Sequence, residues 1–240
     1  MNGAREFKEL LGLTSEPIAI SFQSSTPKGV PRVTAPAISG CEYWKLAAKG
    51  YRFHTTPEDH GNCPIGAVTH GVTLSAEQRQ QLEEMLSLMT SLSYLKPEEV
   101  NHIPSLDKPF KFAVYLPISE AEETSDVILI RGTPRQIMLL IEAANACNGF
   151  ASDPVMGRPT CALIPIVLRS GKCATNFGCI GNRVYTKLSD DEMYFAAPGL
   201  LFSQLLIHLR TIVAANRRLE AFHADRASQR DASNRLVLAG

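Results

Sequence analysis

The chain has no net charge. Its 24 Lys and Arg balance 24 Asp and Glu over 240 residues. That removes the global basic field that draws in nucleic acid, and there is no acidic tail, so no nucleic-acid partner is expected. No C-x-x-C pair occurs, which excludes the usual zinc ribbon or finger. The single phosphate-like glycine signal, Gly132-Thr133-Pro134, falls short of a dinucleotide fingerprint or a P-loop. No fixed-period repeat is present. The most apolar stretch, Ala197 to Ala215, is interrupted by Ser203, Gln204, His208 and Arg210. It reads as a packed helix, not a membrane span. The first residues are charged and amphipathic, with no apolar core or cleavage site, so no secretory signal is expected and the expected compartment is the cytosol.

Against these absences stand six cysteines. In a reducing compartment disulfides are not expected. Cys147 ends the apolar run from Ile141 and reads as a small buried hydrophobe. Cys41, Cys63, Cys161, Cys173 and Cys179 lie in stretches richer in turns or polar residues, and form the pool for chemistry. Two motifs set a cysteine between glycines: His60-Gly61-Asn62-Cys63-Pro64-Ile65-Gly66 and Gly178-Cys179-Ile180-Gly181-Asn182-Arg183. Glycine lets backbone N–H groups approach a ligand closely, and a cysteine held there serves as metal ligand or nucleophile. Pro64 suits the first position of a helix, which makes Cys63 its N-cap.

The coarse elements follow from periodicity and punctuation. Helices are expected over 4–12, 42–49, 73–94, 135–146 and, briefly, 160–168. Strands are expected over 17–22, 51–55, 110–116, 126–130 and 193–197. Proline-rich 24–36, turn-rich 148–159 and glycine-rich 172–182 read as loops. The continuous apolar run to Ile130 suits a strand buried on both faces. In the 73–94 helix, Leu82, Met85, Leu86, Met89 and Leu92 read as a core-facing stripe. His60 and His70 read as surface residues, and Trp44, the only tryptophan, as a core or interface anchor or a pocket wall. These elements give a single α/β (or α+β) domain over 1–216 with a mixed sheet, packed helices and a long C-terminal helix begun at Pro198. Residues 217–240 are a polar helical extension or tail. A homodimer through apolar helix faces is expected.

Three chemistries compete. In the leading one, Cys41, Cys63, Cys161 and Cys179 (or Cys173) converge from distant loops and hold an iron–sulfur cluster, with N–H donors from the flanking glycines. Trp44, Gly66, Gly178, Gly181 and Arg183 then line a cofactor site beside a small-ligand pocket. In the second, no metal is bound, and a pocket walled by Tyr43, Trp44 and Tyr115 takes a small acidic organic ligand, its charge met by Arg183 and Lys172. In the third, Cys63 or Cys179 is a nucleophile with a histidine such as His60 or His54 as base. No catalytic residue is assigned.

The strand Pro17-Ile18-Ala19-Ile20-Ser21-Phe22, the cysteine before an aromatic helix (Cys41, Trp44), the Cys63-Pro64-Ile65-Gly66 turn, and Gly178-Cys179-Ile180-Gly181-Asn182-Arg183 with a proline-started final helix share a wider pattern. Together they resemble a widespread prokaryotic family of cytosolic proteins that carries a domain-of-unknown-function label. The resemblance runs to about residue 215. It implies a single-domain protein of bacteria and archaea, and transfers no activity and no catalytic residue.

Overall fold

The computed structural model describes residues 2–121, 125–149 and 159–238. In chain order the first elements are α1 (Asn2–Leu11), β1 (Ile18–Gln23), α2 (Cys41–Ala48), β2 (Phe53–Thr55) and α3 (Pro64–Thr69). Then come α4 (Ala76–Ser91), α5 (Pro97–Val100), β3 (Phe112–Pro117), β4 (Val127–Gly132) and α6 (Pro134–Ala146). The chain ends with α7 (Leu163–Ser170), β5 (Ala174–Asn176), α8 (Ile180–Thr186), β6 (Met193–Pro198) and α9 (Phe202–Leu238). Most of the turn-rich loop expected over 148–159 lies outside the described residues.

The strands form one six-stranded sheet in the order β2-β3-β1-β4-β6-β5. Every pairing of these strands is antiparallel. The parallel component of the expected mixed sheet is an isolated bridge between Arg32 and His54. The strand–turn–helix unit at Gly132-Thr133-Pro134 is present: the Thr133 side chain accepts from Gln136 N and Pro134 opens α6. It does not lead to a parallel crossover, because β6 returns alongside β4 antiparallel.

Strand alternation sends side chains to two separate cores. Ile18, Ile20, Val127, Leu129, Tyr194 and Ala196 face one way and pack with α2 and α7. Ile128, Ile130, Phe195 and Ala197 face the other way and pack with α1, α6 and α9. The sheet is therefore covered on both faces. That is why β4 reads as an unbroken apolar run, although the sheet is antiparallel.

Among the described residues, one stretch, Gly199–Ser228, is long and apolar enough to cross a membrane. Its Leu205, Leu206, Leu209 and Val213 are buried, and α9 packs on α1 and α6. The helix runs unbroken past residue 216, and its side chains from Arg217 to Ser228 are all exposed.

Three local expectations are corrected. Helix α4 forms with the expected Ser75 cap, but none of its residues is buried. Its apolar stripe lies half-covered on the outside of the domain and not in the core. His60 and His70 are each only 2% exposed. Residues 172–182 are not one loop. They hold β5 at the sheet edge and the start of α8.

A four-cysteine cavity

Helix α2 begins at Cys41, with Gly40 as its N-cap. It buries Cys41, Tyr43, Trp44 and Ala47 against the sheet, a stripe at helical spacing. Its first turn also fastens two loops. The Glu42 carboxylate accepts from Ile38 N and Ser39 N at 2.9 and 3.2 Å. The Tyr43 hydroxyl accepts from Ala37 N at 3.0 Å and donates to Asp59 O at 2.7 Å.

Asp59 anchors the second loop. Its carboxylate accepts from Thr56 N at 2.7 Å, from Thr56 Oγ1 at 3.0 Å and from the Arg32 guanidinium at 3.1 Å. Burial alone would raise its pKa, but Arg32 and the Thr56 donors outweigh it and hold the carboxyl below the ordinary range. One residue on, His60 O accepts from Cys63 N at 3.2 Å. Cys63 is the N-cap of α3 and Pro64 its first residue, as the motif predicts. Ser39 Oγ donates to Cys63 Sγ at 3.8 Å. A Cβ on Gly66 would stand 3.0 Å from Cys63 Sγ, so the glycine leaves room for the thiol over the first turn.

Cys161 sits in the helical turn Thr160–Ala162 that leads into α7. The Thr160 hydroxyl accepts from Cys179 N at 2.6 Å and so ties this turn to the second cysteine–glycine motif. Cys179 is the N-cap of α8. Gly178 before it has φ +82°, and a Cβ there would fall 2.6 Å from Leu188 Cδ2. Only glycine meets both conditions.

These four cysteines come from four separate segments and line one cavity of about 330 Å³. Gly66 and Gly181 line it too. Its outer wall is the apolar stripe of α4, with Met85, Leu86 and Met89. Burial pushes the Cys41 thiol up to about 12; contact with Asn182 works against this, and the nearness of Cys63 and Cys179 adds to it. Burial likewise raises Cys161 well above its ordinary value, with Cys41 next in effect. A cation that binds such thiols displaces their protons.

Among the described residues no group of three or more His, Cys, Asp or Glu is drawn together as ligands of a metal ion. A tetrahedral zinc site needs thiolates about 3.8 Å apart. A cluster carries its ligands on separate irons, which spreads the thiolates around its outside. The four thiols border one largely apolar space.

Other expected site residues lie elsewhere. Cys173 is buried on the opposite face of the sheet, and Cys147 packs at the edge of that same core. Cys173 is therefore no alternative for Cys161 or Cys179. Tyr43 and Tyr115 are fully buried in the core. Arg183 donates to the carbonyl oxygens of Phe177 at 2.6 Å and Ser189 at 2.9 Å, which braces the loops around α8. Trp44 meets Tyr194 edge-on with ring centroids 5.6 Å apart and borders a different cavity. Lys172 is exposed on the turn after α7. His54 and His60 do not line the cysteine cavity, and their ring nitrogens bond to Val30 O at 2.8 Å and Thr55 Oγ1 at 2.9 Å. His60 Nδ1 is buried without a hydrogen-bond partner.

The sequence reading missed Asn182. It is 2% exposed, lines the cavity and lies against Cys41, yet its side-chain oxygen and nitrogen make no hydrogen bond of standard geometry. Its place inside Gly178-Cys179-Ile180-Gly181-Asn182-Arg183 was the available signal. A polar amide between two cavity-lining positions is costly to bury without a partner.

Fold and site together define the class: an α/β protein whose antiparallel sheet is covered on both faces, with a four-cysteine cavity on one of them. The chain belongs to the family described as Uncharacterised ArCR (DUF169), which it matches over residues 6–207. No curated protein and no solved structure matches it.

Proposed function

We propose that Cys41, Cys63, Cys161 and Cys179 hold an iron–sulfur cluster, and that the protein acts in redox chemistry in the cytosol with a small ligand admitted beside the cluster. One observation carries this reading. The four cysteines come from four segments spread over most of the chain and all border one cavity, while the remaining two pack on the other side of the sheet. Packing alone gives no reason for four thiols to share a wall.

A bound cluster supplies one-electron exchange, at a potential set by its charge, its hydrogen bonds and its exposure. The chain's own residues govern the last two. Asn182 offers a buried amide donor to a sulfur, and Ser39 Oγ already donates to Cys63 Sγ. Met85, Leu86 and Met89 of α4 keep water from the outer side. Cys63 and Cys179 are half-buried and Cys41 and Cys161 buried, so the open side of the cavity lies toward the first pair.

The test is purification without oxygen, followed by visible absorption and by iron and sulfide assays. The expected result is a coloured protein containing both elements. A folded protein that stays colourless and iron-free, even after incubation with ferrous iron and sulfide, would overturn the proposal.

A further inference from the structure

A second cavity, of about 230 Å³, lies at the other end of α2. It shares no lining residue with the cysteine cavity, although α2 and α8 border both. Cys41 stands at the start of α2 on one side, and Trp44, Lys45 and Lys49 lie further along on the other. Similarly, Asn182 of α8 lines the first cavity, and Lys187, its C-cap, lines the second.

The chemistry of this second cavity is one-sided. Its floor is apolar, made by Ile18, Trp44 and Tyr194. Its lining carries four cationic side chains, Lys45, Lys49, Arg131 and Lys187, and no carboxylate. Arg131 is already paired with Glu192, and it donates to Lys187 O at 2.9 Å. That bond helps hold Lys187 in its left-handed conformation, φ 56°. The three lysines form no ion pair among the described residues; Lys45 Nζ reaches only the Tyr185 carbonyl, at 3.4 Å. Gathering like charges without a counter-charge is unfavourable until an anion arrives.

Two buried donors lie behind the cavity wall. Trp44 is 2% exposed, and its indole N–H has no hydrogen-bond partner. Arg131 Nε, bordering the same space, is also buried and without a partner.

We propose that this cavity binds a small organic anion, a carboxylate or a phosphate monoester on a short apolar body. The body lies on Trp44 and Tyr194, and Lys45, Lys49 and Lys187 meet its charge. The volume is below the roughly 300–1,000 Å³ of pockets for drug-sized molecules, so the ligand is small. The proposal does not depend on the cluster.

Trp44 is the only tryptophan, so intrinsic fluorescence reports directly from the cavity. Hexanoate and hexyl phosphate serve as probes and 1-hexanol as the uncharged control. A saturable change with either anion, absent with the alcohol, is expected. The double variant Lys45→Gln, Lys49→Gln is expected to bind that anion about tenfold more weakly while keeping its fold by circular dichroism. The proposal is overturned if neither anion gives a saturable change, if 1-hexanol reproduces it, or if the folded double variant binds as tightly as the parent. Iron content of the same variant separates this test from the cluster proposal, because neither lysine borders the cysteines' cavity.

Discussion

Cys63 and Cys179 occupy equivalent positions in two different helices. Each is the N-cap of a short helix, α3 or α8, and both caps border one cavity. Each also depends on a nearby glycine, Gly66 for the space over the first turn and Gly178 for a left-handed backbone. The two cysteine–glycine motifs are thus one local solution used twice, joined by tertiary structure.

Serine substitution should sort the six cysteines by cavity. Cys63→Ser and Cys179→Ser act at half-buried thiols and are expected to fold normally but lose bound iron. Cys161→Ser should lose iron and also stability, about 1–3 kcal/mol, because a hydroxyl replaces a buried apolar thiol. Cys147→Ser should retain iron. Iron per chain and urea unfolding are the two measurements.

Gly66→Ala should separate stability from binding. Alanine in a helix is favoured over glycine by up to about 1 kcal/mol. The new Cβ would press on Cys63 Sγ at 3.0 Å and turn the thiol away. The expected outcome is an unchanged or slightly higher unfolding midpoint with reduced iron after reconstitution.

His60 and His70 should make stability fall in acid. Their rings stack 5.4 Å apart. Burial first, and for His60 the neighbouring His70 next, lowers both pKa values, that of His60 to about 3. The unfolded chain takes up these protons near pH 6.5, before the folded one does. Stability is therefore full above about pH 6.5 and declines as pH falls below it, for His60 by up to about 1.4 kcal/mol per pH unit down to about pH 3, with His70 adding in the same direction. Urea unfolding of iron-free protein between pH 7 and 5 checks this. His60→Gln should reduce the slope.

Asp59→Ala should loosen the segment that presents Cys63. Asp59 is 7% exposed, and its carboxylate satisfies both the Thr56 backbone and the Arg32 guanidinium. Its removal is expected to cost about 1–3 kcal/mol. Arg32→Ala should cost less, since its half-exposed side chain is hydrated when unpaired.

Helix α4 should open more readily than the sheet. It buries none of its residues, whereas β4 and β6 are covered on both faces. Amide hydrogen exchange should be faster in α4 than in these strands. Loading the cavity with a cluster should slow it, because Met85, Leu86 and Met89 then have a filled surface to rest on.

Local signals carried much of this fold. The Pro64 helix start, the Ser75 cap, the unbroken strand to Ile130 and the long final helix each follow from neighbouring residues, and each is present. Strand β5 escaped because three residues between Cys173 and Phe177 show no period. Helix α8 escaped because Gly178 and Gly181 resemble loop punctuation, although only Gly178 precedes the helix and serves its entry.

The site divides along the same line. By itself the sequence determined the backbone that holds Cys63, because a cap, a proline and a glycine act within a few residues, whereas the backbone around Cys179 read as a loop. It could not decide which cysteines meet. Cys161 and Cys173 look alike in sequence, but they fall on opposite faces of the sheet. Nor could periodicity tell whether the stripe of α4 enters the core or walls a cavity, since both place apolar residues at the same spacing. Those choices depend on strand order and on which face each connection crosses, and these are set by long-range pairing across the whole chain.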